Sequence, residues 1–375
     1  MESSGIGLAV SGGGFRATLF HLGSLWRLNE FGWLPKLNEI TSVSGGSIIA
    51  GLLGLRWKKL AFDENGFATN FKSIIVNPVC EFCSRTIDIP SFIKGVLLPF
   101  SHPSDYVISS YKKYLYGDAT LQDLPSDNDG PRFTIYATSM QTGASVRFAR
   151  PYMAEYHIGL LESPDVSLAH AVAASSAFPP VLCPVILKQN PDKWKKPDGA
   201  DLYEKKKLRS RLYLVDGGVY DNLGLERVWD TYRIVLVSDA GAPFDVKENP
   251  RSIKYSQISR TKRTLDIISE QTRALRKRKL IDDYNNGVRT GTYWGISSHI
   301  DHYNLERHDL PGPMVSDNDI TASLKKIRTR LNRFSKEEQG RLINWGYALT
   351  DAAMRRFVIP RHPANGRWPI EKFAL

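Results

Sequence analysis

Ile6-Gly7-Leu8-Ala9-Val10-Ser11-Gly12-Gly13-Gly14-Phe15-Arg16 is the stretch whose reading decides the fold. A short apolar run that breaks into three glycines reads as a buried strand entering a tight turn. Beyond it, Phe15, Leu19, Leu22 and Trp26 recur at helical spacing up to Glu30, and Gly32 with Pro35 stops the run. Residues 40–43 read as a second short strand and residues 46–57 as a buried helix. Strand, helix, strand, helix at the start of a chain argues for a parallel sheet in an α/β fold.

From about residue 58 to 125 the pattern loosens, with Pro78, Pro90, Pro99 and Pro103 as punctuation. This segment reads as a cap or insertion over the sheet. Within it, Leu97, Leu98 and Phe100 suit either a bilayer interface or a buried cover for a site. An alternating strand at 133–139 follows, with a hairpin partner at 145–150. Residues 167–176 form an Ala-rich helix ending near Phe178-Pro179-Pro180, and residues 212–215 and 233–238 are further buried strands. Residues 320–357 read as two helices joined near Phe334-Ser335-Lys336. The organisation expected is a catalytic unit over 1–245 and a basic, mainly helical extension over 246–375, packed on the same domain.

The 375 residues hold 42% hydrophobic and 24% charged residues, which excludes disordered and collagen-like classes. A formal net charge of +11 favours anionic partners. Residues 188–211 carry nine Lys or Arg against four acids, and residues 251–279 carry ten against two. Neither stretch is interleaved with aromatics as a single-strand surface would be, so nucleic-acid binding rests on charge alone. No secretory signal and no run long enough to span a bilayer is visible. Three cysteines cannot make a disulfide framework. The expectation is a cytoplasmic protein that docks peripherally on anionic membranes.

The triple glycine matches neither the dinucleotide loop nor the phosphate loop with its Gly-Lys-Ser/Thr. What remains is a helix N-terminus whose free N–H groups suit an anion. Arg16, in the first helical turn, can brace that loop or meet an anionic headgroup. Ser42-Val43-Ser44-Gly45-Gly46 places Ser44 after an apolar strand and before a buried helix. Small flanking residues allow a strained turn that pushes the hydroxyl into the open, although Ser42 meets that need less fully than glycine. Asp216-Gly217-Gly218 ends a third strand, and Asp239 ends the next one as a rival acid. Four downstream histidines, His299, His302, His308 and His362, leave a Ser-His-Asp triad open by chain order alone. His21 falls on the first helix, and Cys80-Glu81-Phe82-Cys83 is a single C-x-x-C that lacks two further zinc ligands.

In this order and spacing the three glycine-flanked segments resemble the patatin-like phospholipase family. The resemblance implies a three-layer α/β fold, similar to cytosolic phospholipase A2, with a central, mostly parallel sheet flanked by helices. It implies a Ser–Asp dyad without histidine. By position, Gly12, Gly13 and Gly14 would form the oxyanion loop, Ser44 the nucleophile and Asp216 the base. Ala173-Ala174-Ser175-Ser176-Ala177-Phe178-Pro179-Pro180 matches the family's Ala/Ser-rich helix ending in proline. Ser11, where plant members have an acid, and Ser42, where the elbow has glycine, depart from the pattern. The function expected is a lipid acyl hydrolase acting on glycerophospholipids or related esters, with no metal or cofactor. A lysophospholipase, neutral-lipid esterase or acyltransferase would use the same dyad. The other reading is a membrane-degrading effector switched on by a small ligand or by oligomerisation.

Overall fold

The opening strand–helix pairs build the centre of the molecule. A computed structural model describes residues 3–87, 102–180, 182–244, 246, 248, 256–359 and 366–375. β1 (Ser3–Val10) leads into α1 (Gly14–Glu30), and β2 (Glu39–Val43) into α2 (Gly45–Arg56). After α3 (Asn77–Cys83) and α4 (Pro103–Tyr111) come β3 (Arg132–Ser139), β4 (Ser145–Phe148), β5 (Tyr152–Glu155) and β6 (Gly159–Glu162). Next are α5 (Leu168–Ser175), β7 (Val185–Lys188), β8 (Arg211–Asp216), α6 (Glu226–Thr231) and β9 (Tyr232–Asp239). The last long elements are α7 (Gln257–Asn285), β10 (Thr290–Gly295) and α8 (Lys336–Phe357). Bounds expected from the periodicity fall close to these. The four-residue strands β5, β6 and β7 and the strand β10 were not foreseen, because runs so short carry little alternation.

Among the described residues ten strands form one mixed sheet, in the order β10-β9-β1-β2-β3-β4-β5-β6 with β7 on β8 and β8 on β3. The first five of that order are mutually parallel, and β3 to β6 form an antiparallel meander. One edge of β3 is shared. β2 runs parallel along it as far as Val43 opposite Tyr136, and β8 runs antiparallel, with Asp216 opposite Ala137. The carboxyl ends of β2 and β8 therefore meet head-on at neighbouring positions of β3.

Alternation along the strands sends side chains into a core on each face, as period-two geometry requires. Leu8, Val10 and Leu236 join the larger core with α1 and α2, whereas Ala9, Val235 and Val237 join a smaller one with Val228 of α6 and Leu280 of α7. This is the three-layer architecture expected. The described residues of the segment from 58 to 125 form helices and turns, and Phe82 packs edge-on against Phe15 at 5.3 Å within the main core. Residues 92–100, read as an apolar element, lie outside the described residues.

Described elements after residue 245 pack against the sheet and helices before it. β10 pairs with β9, and α8 lies along α1. Between those helices the fully buried Asp351 accepts hydrogen bonds from Arg27 (2.6 and 2.9 Å) and from Arg355 (2.9 Å). Removing one partner of a buried ion network leaves charge uncompensated. Asp351→Ala should therefore lower unfolding free energy by about 3–5 kcal/mol, read as a fall in the urea midpoint at neutral pH.

Candidate active site

The strand-to-helix turn after β2 is strained in the way a nucleophile elbow requires. Ser44 sits at φ 50°, ψ −117°, a region side chains rarely enter, and strain of this kind persists only where the surroundings hold it. Here a chain of hydroxyls does the holding. The Ser44 amide donates to Ser175 Oγ of α5 (2.9 Å), Ser175 meets Ser47 Oγ (2.9 Å), and Ser47 donates to Ser42 Oγ (3.0 Å). Ser42 reaches the Thr134 carbonyl of β3 at 3.5 Å. The serine that departs from the elbow pattern thus ties β2 to its neighbour, and its hydroxyl is no obstacle.

The glycine loop fits against this turn backbone to backbone. A Cβ on Gly45 would run into the Gly14 carbonyl, and one on Gly12 would stand 3.2 Å from Ser44 Cβ. Gly13 and Gly14 have φ of 141° and 57°, which glycine adopts without penalty. The three glycines differ in what they can offer. The Gly12 amide already donates to the Asn222 carbonyl (3.0 Å) and the Phe15 amide to the Arg330 carbonyl (3.2 Å). Among the described residues the Gly13 and Gly14 amides have no acceptor, so the donor pair for an oxyanion narrows to these two. Gly12 serves close packing.

Asp216 completes the arrangement from the opposing strand end. It accepts the Gly218 amide (2.7 Å) and a side-chain hydrogen bond from Ser44. Burial pushes its carboxyl up to about 7, against the pull of those two hydrogen bonds. No cation is among the causes, and this distinguishes it from the rival. Asp239 is also buried, but Arg273 at 3.6 Å, the Tyr293 hydroxyl at 2.7 Å and the Gly241 amide at 2.8 Å hold its carboxyl below the usual range. It is a structural anion with no contact to Ser44.

Arg16 needs correction. It is 1% exposed, and its guanidinium donates to the carbonyls of Ala240 (2.7 Å), Ile327 (2.8 Å) and Lys325 (3.0 Å). The C-terminal segment closes over the first turn of α1, which the local sequence cannot reveal, so this arginine braces the loop and meets no headgroup. The histidines are accounted for in the same way. His21 is buried between the Ser238 hydroxyl (2.8 Å) and the Ser11 carbonyl (3.0 Å), and burial pulls it down to about 4. His299 faces Asp317 at 3.5 Å and packs at a tilt on His302, and His308 is exposed. His362 lies outside the described residues. Both thiols of the C-x-x-C pair are raised by burial, the reverse of what a reactive or metal-binding thiolate needs.

Two residues with a part in the site were not singled out. Ser175 accepts the Ser44 amide, and the Asn222 side chain fills the space between Gly12, Gly218 and Gly241. The available signals were the paired serines after Ala174 and an asparagine six positions beyond Asp216.

The sequence model of the patatin-like phospholipase family matches residues 8–229. Among solved structures the chain is similar to human GIVD cytosolic phospholipase A2, at 12% identity and TM-score 0.51, over 93% of this chain and 61% of that one. The complex of that human enzyme with methyl gamma-linolenyl fluorophosphonate inhibitor and terbium chloride gives 13% identity and TM-score 0.50, over 94% and 57%. The chain thus spans about three fifths of those chains, and at this identity the likeness is one of fold. A search of the curated proteins finds no match.

A base with a pKa near 7 must be ionised to act, so ester hydrolysis should fall about tenfold per pH unit below 7. A pH profile of kcat/KM on a soluble ester reads this. Ionising a buried carboxyl whose folded pKa is raised costs stability as pH rises through that value. Asp216→Asn should then abolish turnover while leaving Tm above pH 7 unchanged or higher. Ser175→Ala, which strips the acceptor from the Ser44 amide, should lower kcat about tenfold and stability by about 1–3 kcal/mol.

Proposed function

This chain belongs to the patatin-like phospholipase family, and from that premise we propose that it cleaves acyl esters of glycerophospholipids or related lipids through Ser44 and Asp216. The observation that carries the reading is the hydrogen bond between the strained Ser44 and a cation-free carboxyl held at about 7. A carboxylate in that range is matched to neutral pH, strong enough to take a serine proton and able to return it.

In the proposed sequence Ser44 Oγ attacks the ester carbonyl as its proton passes to Asp216. The carbonyl oxygen becomes an oxyanion, met by the Gly13 and Gly14 amides at the positive end of α1. Collapse breaks the bond to the alcohol, which takes the proton from Asp216. Water, giving its proton to the same carboxylate, then attacks the acyl carbon. The bond to Ser44 Oγ breaks, Ser44 takes the proton back from Asp216, and the fatty acid leaves. Helix α1 is aligned for this by Arg16 and by its packing on α8, so the donors need no rearrangement when charge develops.

Several acyl esters share this chemistry, and the phospholipid assignment rests on the family and on charge. A net +11 draws the protein toward anionic surfaces where such substrates lie, and contact with them is proposed to be peripheral. No helix among the described residues is long and apolar enough to cross a membrane.

An activity-based fluorophosphonate probe tests the nucleophile. Wild type should label, Ser44→Ala should not, and label retained in the variant would move the nucleophile elsewhere. Release of fatty acid from phosphatidylcholine in mixed micelles by wild type, lost on Asp216→Asn, would support the substrate class. A variant that keeps the wild-type rate would dismiss Asp216 as base.

A further inference from the structure

Among the described residues helix α7 buries apolar side chains only near its C-terminal end, where Leu280 and Tyr284 join the smaller core, and the turns before them face inward with charge. Surface helices ordinarily bury their apolar stripe and show charge to water. The inward face of α7 carries Arg273, paired with Glu270 at 2.7 Å and facing Asp239, and Arg276, which faces Asp221 at 3.6 Å and donates to the Tyr220 carbonyl. Its outward face shows Ile267, Ile268 and Leu275 at 43%, 55% and 58% exposure. These three lie within one helical stripe, and the exposed bases Arg260, Arg278 and Lys279 flank them on the same side, where Asp282 is also exposed and Lys279 pairs with Asp283 at 2.7 Å.

The helix also has a direction. The Tyr284 hydroxyl donates to the Val235 carbonyl in the middle of β9, and Arg273 meets Asp239 at its carboxyl end. Going backward along α7 therefore means moving toward the sheet edge that carries Ser44 and Asp216. From Arg273 to Arg260 the helix runs on for about 20 Å at 1.5 Å per residue. Arg273 itself stands against Gly241 beside Asn222, and Asn222 borders Gly12.

We propose that this outward face of α7 docks on an anionic lipid bilayer and so holds the carboxyl edge of the sheet, with Ser44 and Asp216, beside it; the proposal rests on the lipid-hydrolase reading above. Three exposed apolar side chains have Arg260, Arg278 and Lys279 beside them, and Asp282 is the one acid among the described residues on that side. This matches the interfacial helix, whose apolar residues enter the headgroup region while Lys and Arg stay at the phosphates. Charge decides the occupant. A second copy would bring the same positive excess to the contact, whereas an anionic surface complements it. Each basic residue near such a surface is worth on the order of five-fold in binding.

The test uses the full chain and phosphatidylcholine vesicles with or without about one third phosphatidylserine, a content that sets a strongly negative surface. Co-sedimentation should show wild type on the anionic vesicles, with affinity falling steeply as salt rises. Ile268→Ser/Leu275→Ser and, separately, Arg278→Glu should each weaken that binding about tenfold, while hydrolysis of a soluble short-chain ester stays at the wild-type rate. Variants that bind anionic vesicles as well as wild type does would overturn the proposal. So would a wild-type dimer in light scattering that the apolar variants dissociate, since a second copy would then own the face. Vesicle binding by a wild type that hydrolyses neither ester nor lipid would sink the enzymatic reading and leave the docking surface standing.

Discussion

Everything at the site depends on one edge of β3 being divided between two strands that approach from opposite directions. β2 arrives parallel and stops opposite Tyr136, and β8 arrives antiparallel and stops opposite Ala137. Val43 and Asp216, 173 positions apart, thereby end on adjacent rungs of one ladder, with Ser44 next after the first, and the sheet's hydrogen bonds set their separation. Ser44 and Asp216 need no flexible reach to find each other. Backbone pairing fixes them more rigidly than loops would, and catalytic groups must be held closely to act.

The second organising element is how charge is parcelled out at the carboxyl edge of the sheet. Two buried aspartates end neighbouring parts of it, and their surroundings drive them apart. Asp239 is given a guanidinium, a phenol and an amide and stays ionised, whereas Asp216 has hydrogen bonds but no cation and sits near neutrality. Paired carboxyls whose environments separate their titration are the usual sign that one is structural and the other chemical. The basic helix α7 supplies the charge that makes this separation, so the C-terminal part of the chain shapes the site without entering it.

Much of this was legible in the sequence because the demands were local. A strand ending in three glycines, a serine between small residues and an aspartate before paired glycines each state a backbone requirement in their own neighbourhood. What stayed hidden was long-range. Arg16 looked free because its acceptors lie more than 200 residues away, at Ala240, Lys325 and Ile327. Gly12 looked like a donor because nothing local shows that Asn222 takes its amide. The strand ending in Asp216 was legible, but its antiparallel direction was not, since apolar runs carry no sense of orientation. β10 was lost inside a stretch read as mainly helical, being short and exposed at its start.

The clamp on α1 also bears on when the candidate site can assemble. Domains emerge from synthesis in order, and early segments wait for late partners. The serine, the aspartate and all three glycines have been made by residue 218, yet the turn that carries the glycines is held by carbonyls at Ala240, Lys325, Ile327 and Arg330. β1, moreover, is left with an open edge until β9 pairs with it. A nascent chain therefore holds every reactive group long before it holds them in register. The late clamp leaves the glycine turn unsettled until the last elements of the chain have folded onto it.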